Sequence, residues 1–126
     1  MRAVDTNVLV RLLVRDDPKQ LAAAEEFVRA GAWISLLVLM ETAWVLDSVY
    51  NVERVKLRAA IEMLLDHSDL VVQDADIVAA ALTQHGKRPG LDFSDCLILE
   101  VARKAGHVPL GTFDRDLGKL TDVQRL

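Results

Sequence analysis

Short apolar stretches separated by helix-patterned segments run the length of this chain, and that alternation limits the folds open to it. Ala3-Val4, Trp33-Ile34, Leu70-Val71-Val72 and Val108 to Gly111 are short and apolar enough to read as strands, with Val123 to Arg125 as a final edge strand. Between them lie helix signals. A first helix is expected from about Asn7 to Val14. Asp17-Pro18 pairs an N-cap with a first-turn proline, Gly31 supplies the stop, and Leu21, Ala24 and Val28 share a face. Ser35 caps a segment running from Leu36 to Val49. Asn51 is expected to open a fourth helix, with Val55, Ala59 and Met63 beside Leu57, Ile61 and Leu64 as its apolar stripe. Asp74 or Asp76 starts a helix that stops at Gly86, and Lys87-Arg88-Pro89-Gly90 is a loop. Asp92 starts a helix to Ala105, closed by Gly106, and a short helix is expected from Asp114 to Lys119. Strands and helices in this order predict βαβ units. The fold class is therefore α/β, with a central, mainly parallel sheet of four to five short strands flanked by helices. Such sheets bind ligands at the carboxyl ends of their strands.

At 126 residues the chain is expected to be one domain over 1–126, because a second core usually needs ~150 residues or more. Apolar residues at 52% against 27% charged are enough to build a core, which excludes a disordered chain. A single cysteine, Cys96, excludes a disulfide scaffold and a Cys-only zinc site; it lies in an apolar helix segment and is expected in the core. The longest apolar-rich run, Ala32 to Leu46, is broken by Glu41 and falls short of the ~20 residues of a membrane span. Asp5 stands where a signal peptide needs apolar residues. The expected location is the cytoplasm, with no membrane partner.

Net charge is −4, which argues against a generally basic nucleic-acid-binding surface. The placement of the acids is more informative. Asp5 ends the first strand, Asp95 lies in the first turn of the helix opened by Asp92, and Asp114 follows the fourth strand. Glu41 lies about two turns into the helix after the second strand, on a segment so apolar that the glutamate is expected to be buried. Each has a plainer role available. Asp5, Asp92 and Asp114 could cap or turn the chain, Asp95 could complement a helix dipole, and Glu41 could pair with an arginine. In a parallel sheet, however, these positions are expected to converge on one crevice. Clustered carboxylates repel unless a hard cation lies between them, and an all-oxygen donor set favours Mg²⁺, or Mn²⁺ as a substitute, over zinc. Such ions activate water and support phosphoryl displacement.

The residues Val4-Asp5-Thr6-Asn7-Val8-Leu9, Glu41, Asp92-Phe93-Ser94-Asp95 and Thr112-Phe113-Asp114 resemble, in order and spacing, those of PIN-domain ribonucleases. Within that family they look like the VapC-like toxins of type II toxin–antitoxin systems, and the likeness covers essentially the whole chain. The resemblance implies a PIN-like fold and a Mg²⁺-dependent endoribonuclease that hydrolyses RNA with metal-activated water. It implies Asp5, Glu41, Asp95 and Asp114 as catalytic and metal-holding residues. Thr6, Asn7 and Thr112 would support the site, with Asp92 and Asp116 as outer members. It further implies a homodimer silenced by a cognate antitoxin protein.

Other signals are weaker. Gly111 to Lys119 fails as a phosphate loop, since its glycines are misplaced and Leu120 stands where Ser or Thr is required. His67, His85 and His107 lack metal-ligand spacing and are expected at surfaces or caps. No nucleophile elbow is present. Trp33, Trp44 and Tyr50 are expected in the core. Lys87, Arg88 and Arg115 are candidates for phosphate contact. Two alternatives to the nuclease remain open: a non-catalytic partner-binding module of the same fold, and an Asp-dependent phosphatase or phosphoacceptor domain built on Asp5.

Overall fold

The computed structural model describes residues 1–126, and the chain divides into two compact units, Met1–Ala75 and Asp76–Leu126. The first unit follows the alternation read from the sequence. Its elements are β1 (Arg2–Ala3), α1 (Thr6–Val14), α2 (Pro18–Val28), β2 (Ala32–Ile34), α3 (Leu36–Ser48), α4 (Arg54–Asp66) and β3 (Leu70–Val72). The three strands form a parallel sheet in the order β1-β2-β3, with Arg2 opposite Ala32 and Ile34 opposite Val72. Two helices separate each strand from the next, the crossover that parallel pairing requires. Ala32, Ile34, Leu70 and Val72 are buried, and so are Leu9, Val10, Ala24, Val28, Leu39, Leu46, Leu57, Ile61 and Leu64.

Local chemistry sets the helix boundaries. Asp17 accepts the Gln20 N–H at 3.0 Å ahead of Pro18, and Ser35 accepts the Val38 N–H at 3.1 Å ahead of Leu36. At α4 the expectation fails. Asn51 does not open the helix but lies in the left-handed region at φ 53°, and α4 begins three residues later after Glu53. Asparagine tolerates that conformation, so the residue ends a turn. The expected stripe also divides: Leu57, Ile61 and Leu64 face inward, whereas Val55, Ala59 and Met63 are exposed. The apolar residues of α4 thus lie on two faces, one inward and one outward.

The second unit holds α5 (Ala75–Lys87), α6 (Phe93–Ala105), β4 (Leu110–Thr112), a 3₁₀ turn (Leu117–Lys119) and β5 (Val123–Arg125). Strands β4 and β5 pair in parallel, Leu110 opposite Val123 and Thr112 opposite Arg125. Every strand pairing within the three-stranded sheet and within the two-stranded sheet is thus parallel. Strand β4 starts at Leu110, after Pro109, which has no N–H to give a ladder. The helix expected from Asp114 to Lys119 is reduced to the 3₁₀ turn, in which the Lys119 N–H donates to the Asp116 carbonyl and the Leu120 N–H to the Leu117 carbonyl. Gly106 ends α6 at φ 80°, as a C-terminal glycine should. Cys96 is fully buried. His85 is buried too, against the surface role expected of it, with its ring edge-on to Phe93 at 6.1 Å between centroids. His67 caps locally: its Nδ1 accepts the Asp69 N–H at 3.0 Å.

Candidate active site

In the first unit the carboxyl edge of the sheet carries Asp5, Ser35 and Gln73. Asp5 occupies the N-cap of α1, and its Oδ1 receives the Val8 N–H at 3.4 Å, so the capping role weighed for it is real. At that distance the bond is loose, and the side chain stays exposed to solvent. Thr6, the next residue, is buried and donates its hydroxyl to Glu41 Oε1. One hydroxyl on the first turn of α1 therefore positions an acid on α3, beside the residue that follows Asp5. Glu41 itself is exposed. The expectation of a buried glutamate is wrong, because the Leu37–Glu41–Trp44 face of α3 looks outward although it is largely apolar. Leu37 is 81% exposed and Trp44 62%, so Trp44 is no core residue either. Trp33 and Tyr50 are partly buried, and the Tyr50 hydroxyl takes a 2.7 Å bond from Arg11.

Gln73 was not anticipated. Its backbone N–H continues the ladder to Ile34, and its side-chain Oε1 accepts the Leu36 N–H at 2.9 Å, capping α3 from the neighbouring strand. The only trace in the sequence is a polar residue directly after Val71-Val72. Asn7, expected to support the site, is exposed on the first turn of α1.

In the second unit four acids belong to two adjacent segments. Asp92 stands at the N-cap of α6 but makes no side-chain capping bond, so the capping role open to it is not taken up. Asp95, half-buried in the first helical turn, has its pKa raised above the ordinary 3.8. Burial is the main cause, the charges of Asp92 and Asp114 add to it, and the Asp92 N–H pulls weakly the other way. A helix N-terminus ordinarily favours a carboxylate, so desolvation and like charge win here. Asp114 is fixed by a small hydrogen-bonded turn. Its N–H donates to Thr112 Oγ1 at 3.0 Å, while its Oδ1 accepts the Asp116 N–H at 3.3 Å. Asp116 in turn packs on Gly90, where an added Cβ would lie 2.7 Å from Oδ2. Glycine there is what allows the segment before Asp92 to approach the segment after β4. Thr112 thus anchors the backbone at Asp114, and Asp116 lies against Gly90.

No group of three or more His, Cys, Asp or Glu side chains is assembled to hold a metal ion. The donor chemistry nevertheless suits one: every candidate is a carboxylate, and beside the burial that mainly raises its pKa, Asp95 feels two like charges that a hard cation would offset. The sites are apt, not preformed.

A parallel α/β fold with acids at strand exits is the setting of metal-assisted phosphoryl chemistry. The PIN domain family model matches residues 2–123, so the chain belongs to the PIN domain family, a nuclease fold whose members often cleave RNA with divalent metal. No curated protein matches the chain. No helix is long and apolar enough to cross a membrane.

Proposed function

We propose that this PIN-domain protein is a Mg²⁺-dependent endoribonuclease and the toxin of a toxin–antitoxin pair, with Asp5, Glu41, Asp95 and Asp114 as the metal-holding residues. The observation that carries the reading is Asp95, an acid kept half-buried between Asp92 and Asp114 with its charge disfavoured. Groups held against their own preference in this way concentrate at functional sites. Mg²⁺, or Mn²⁺ in its place, would supply charge against both the carboxylates and the scissile phosphate and would activate water. The chain's own residues provide placement. Thr6 orients Glu41, the Thr112–Asp114–Asp116 turn orients Asp114, and two exposed bases of the second unit, Lys87 before Asp92 and Arg115 within that turn, are the phosphate contacts.

Two features support the partners. The exposed face of α3, with Leu37 and Trp44 flanking Glu41, is an apolar surface that a second copy of the chain would cover. A cavity of about 330 Å³ in the first unit, with Leu12, Leu13, Val28 and Leu70 in its lining and Arg15, Arg29, Glu25 and Asp69 at its wall, is a candidate seat for apolar side chains of an antitoxin helix. An arginine on that antitoxin would pair with the site carboxylates. A cytoplasmic location follows from this reading.

Purified protein is expected to cleave single-stranded RNA in Mg²⁺ or Mn²⁺ and to stop in EDTA. Cleavage that survives complete chelation refutes the metal mechanism. RNA cleavage unaffected by the cognate antitoxin refutes the toxin role and leaves the nuclease standing. Antitoxin binding without any cleavage would favour the non-catalytic partner module.

A further inference from the structure

The chain has six aromatic residues besides its histidines, and only two, Trp44 and Phe113, are largely exposed. Phe113 is the more exposed at 80%, and it lies between Thr112 and Asp114. Its position is not that of a loose loop. The Thr112 hydroxyl takes the Asp114 N–H and the Asp114 carboxylate takes the Asp116 N–H, so the backbone on both sides of Phe113 is tied down while its ring projects into water. Leaving a phenylalanine exposed forgoes the stabilisation that burying it brings. The turn holds it there all the same.

We propose that Phe113 is a stacking platform for one base of single-stranded RNA, setting which nucleotide lies beside the scissile phosphate. The proposal rests on the nuclease reading and deepens it. The charge balance supplies the physical reason. The second unit balances seven basic residues against seven acidic ones, and four of those acids lie in these two segments, so phosphate attraction there is limited to local bases such as Arg115 and a contact indifferent to charge adds affinity. Stacking on an aromatic face is such a contact, and it requires single-stranded RNA, whose bases are free to splay out. An aromatic ring one residue from a candidate ligand of the metal is placed to take the base next to the phosphate being cut. Its role is binding and specificity, not chemistry.

The test uses the full chain and a fluorescent single-stranded decaribonucleotide, with binding measured in EDTA so that cleavage plays no part. Phe113→Ala is expected to weaken binding about tenfold, within the range for loss of one base–aromatic stack, and Phe113→Trp to preserve it. The loss should be the same factor at low and moderate salt, because no phosphate contact is removed. One abasic position in the oligonucleotide should reproduce the loss with the original protein and add nothing with Phe113→Ala. In Mg²⁺, Phe113→Ala should raise KM, leave kcat near its original value and change the cleavage-site preference. The thermal midpoint should not move. Equal RNA affinity of the alanine variant overturns the proposal, and so does a loss that tracks salt or a lowered thermal midpoint. Dissociation of a dimer with unchanged RNA affinity would make Phe113 a protein contact and overturn it too. RNA binding that depends on Phe113 in a protein that never cleaves would refute the nuclease reading and leave the platform intact.

Discussion

Replacing Asp95 with asparagine separates a catalytic carboxylate from an ordinary helix-start acid. In the folded chain Asp95 holds its proton more tightly than an exposed aspartate, through burial first and the charges of Asp92 and Asp114 second. Between the ordinary pKa and the raised one the folded state binds more protons than the unfolded state. Stability therefore falls as pH rises through that window, and the full penalty is present at neutral pH. Two carboxylates ~6 Å apart repel by roughly 0.7 kcal/mol in water and about 3 kcal/mol at an effective dielectric of ~20. The half-exposed position of Asp95 calls for a value near the lower end. Against this, asparagine gives up a helix-dipole interaction of about 0.3–1 kcal/mol. Adding back the relieved burial, the net gain is about 1 kcal/mol, which for a chain of 126 residues is about 4 °C in the thermal midpoint. Asp95→Asn should thus melt a few degrees higher than the original protein at pH 7.5 in EDTA. The difference should vanish in acid, where Asp95 is already protonated. RNA cleavage should be abolished, and Mg²⁺ should raise the midpoint of the original protein more than that of the variant. Melts of both proteins across pH, each with EDTA and with Mg²⁺, read all of this. A variant that melts lower at neutral pH and still cleaves RNA would make Asp95 a plain dipole partner and refute the reasoning.

Thr6→Val keeps the shape of a buried side chain and removes the hydroxyl that holds Glu41. It should cost about 1–2 kcal/mol in chemical denaturation and suppress RNA cleavage, with Thr6→Ser recovering most of both. Gly90→Ala places a carbon 2.7 Å from Asp116 Oδ2. The substitution should destabilise the original protein by about 1–2 kcal/mol and cost clearly less in an Asp116→Ala background, since the clash is with that carboxylate alone. Equal cost in both backgrounds would refute the packing argument.

Much of the architecture was legible in the sequence, because its signals are local. Asp17-Pro18, Ser35 and Gly106 act within one helical turn, and each ends or starts a helix where it was expected. The apolar triplets around Ile34 and Val72 could only be buried strands, and parallel pairing follows once helices separate them. The order and spacing of Asp5, Glu41, Asp92-Asp95 and Thr112-Asp114 pointed to the family that the chain belongs to. What no local pattern carried was which side of an element faces the core. Helix α3 reads as apolar nearly all round, so the sequence could not say that Leu37, Glu41 and Trp44 face water; that depends on where α3 meets its neighbours. The two apolar faces of α4 and the burial of His85 are decided in the same way, by the elements packed against them. The contacts that position the acids are also long-range. Thr6 reaches Glu41 across 35 residues, Gln73 caps α3 across 37, and Gly90 makes room for Asp116. A side chain's chemistry is written in the chain, but its partner is chosen by the packing of elements far apart in sequence.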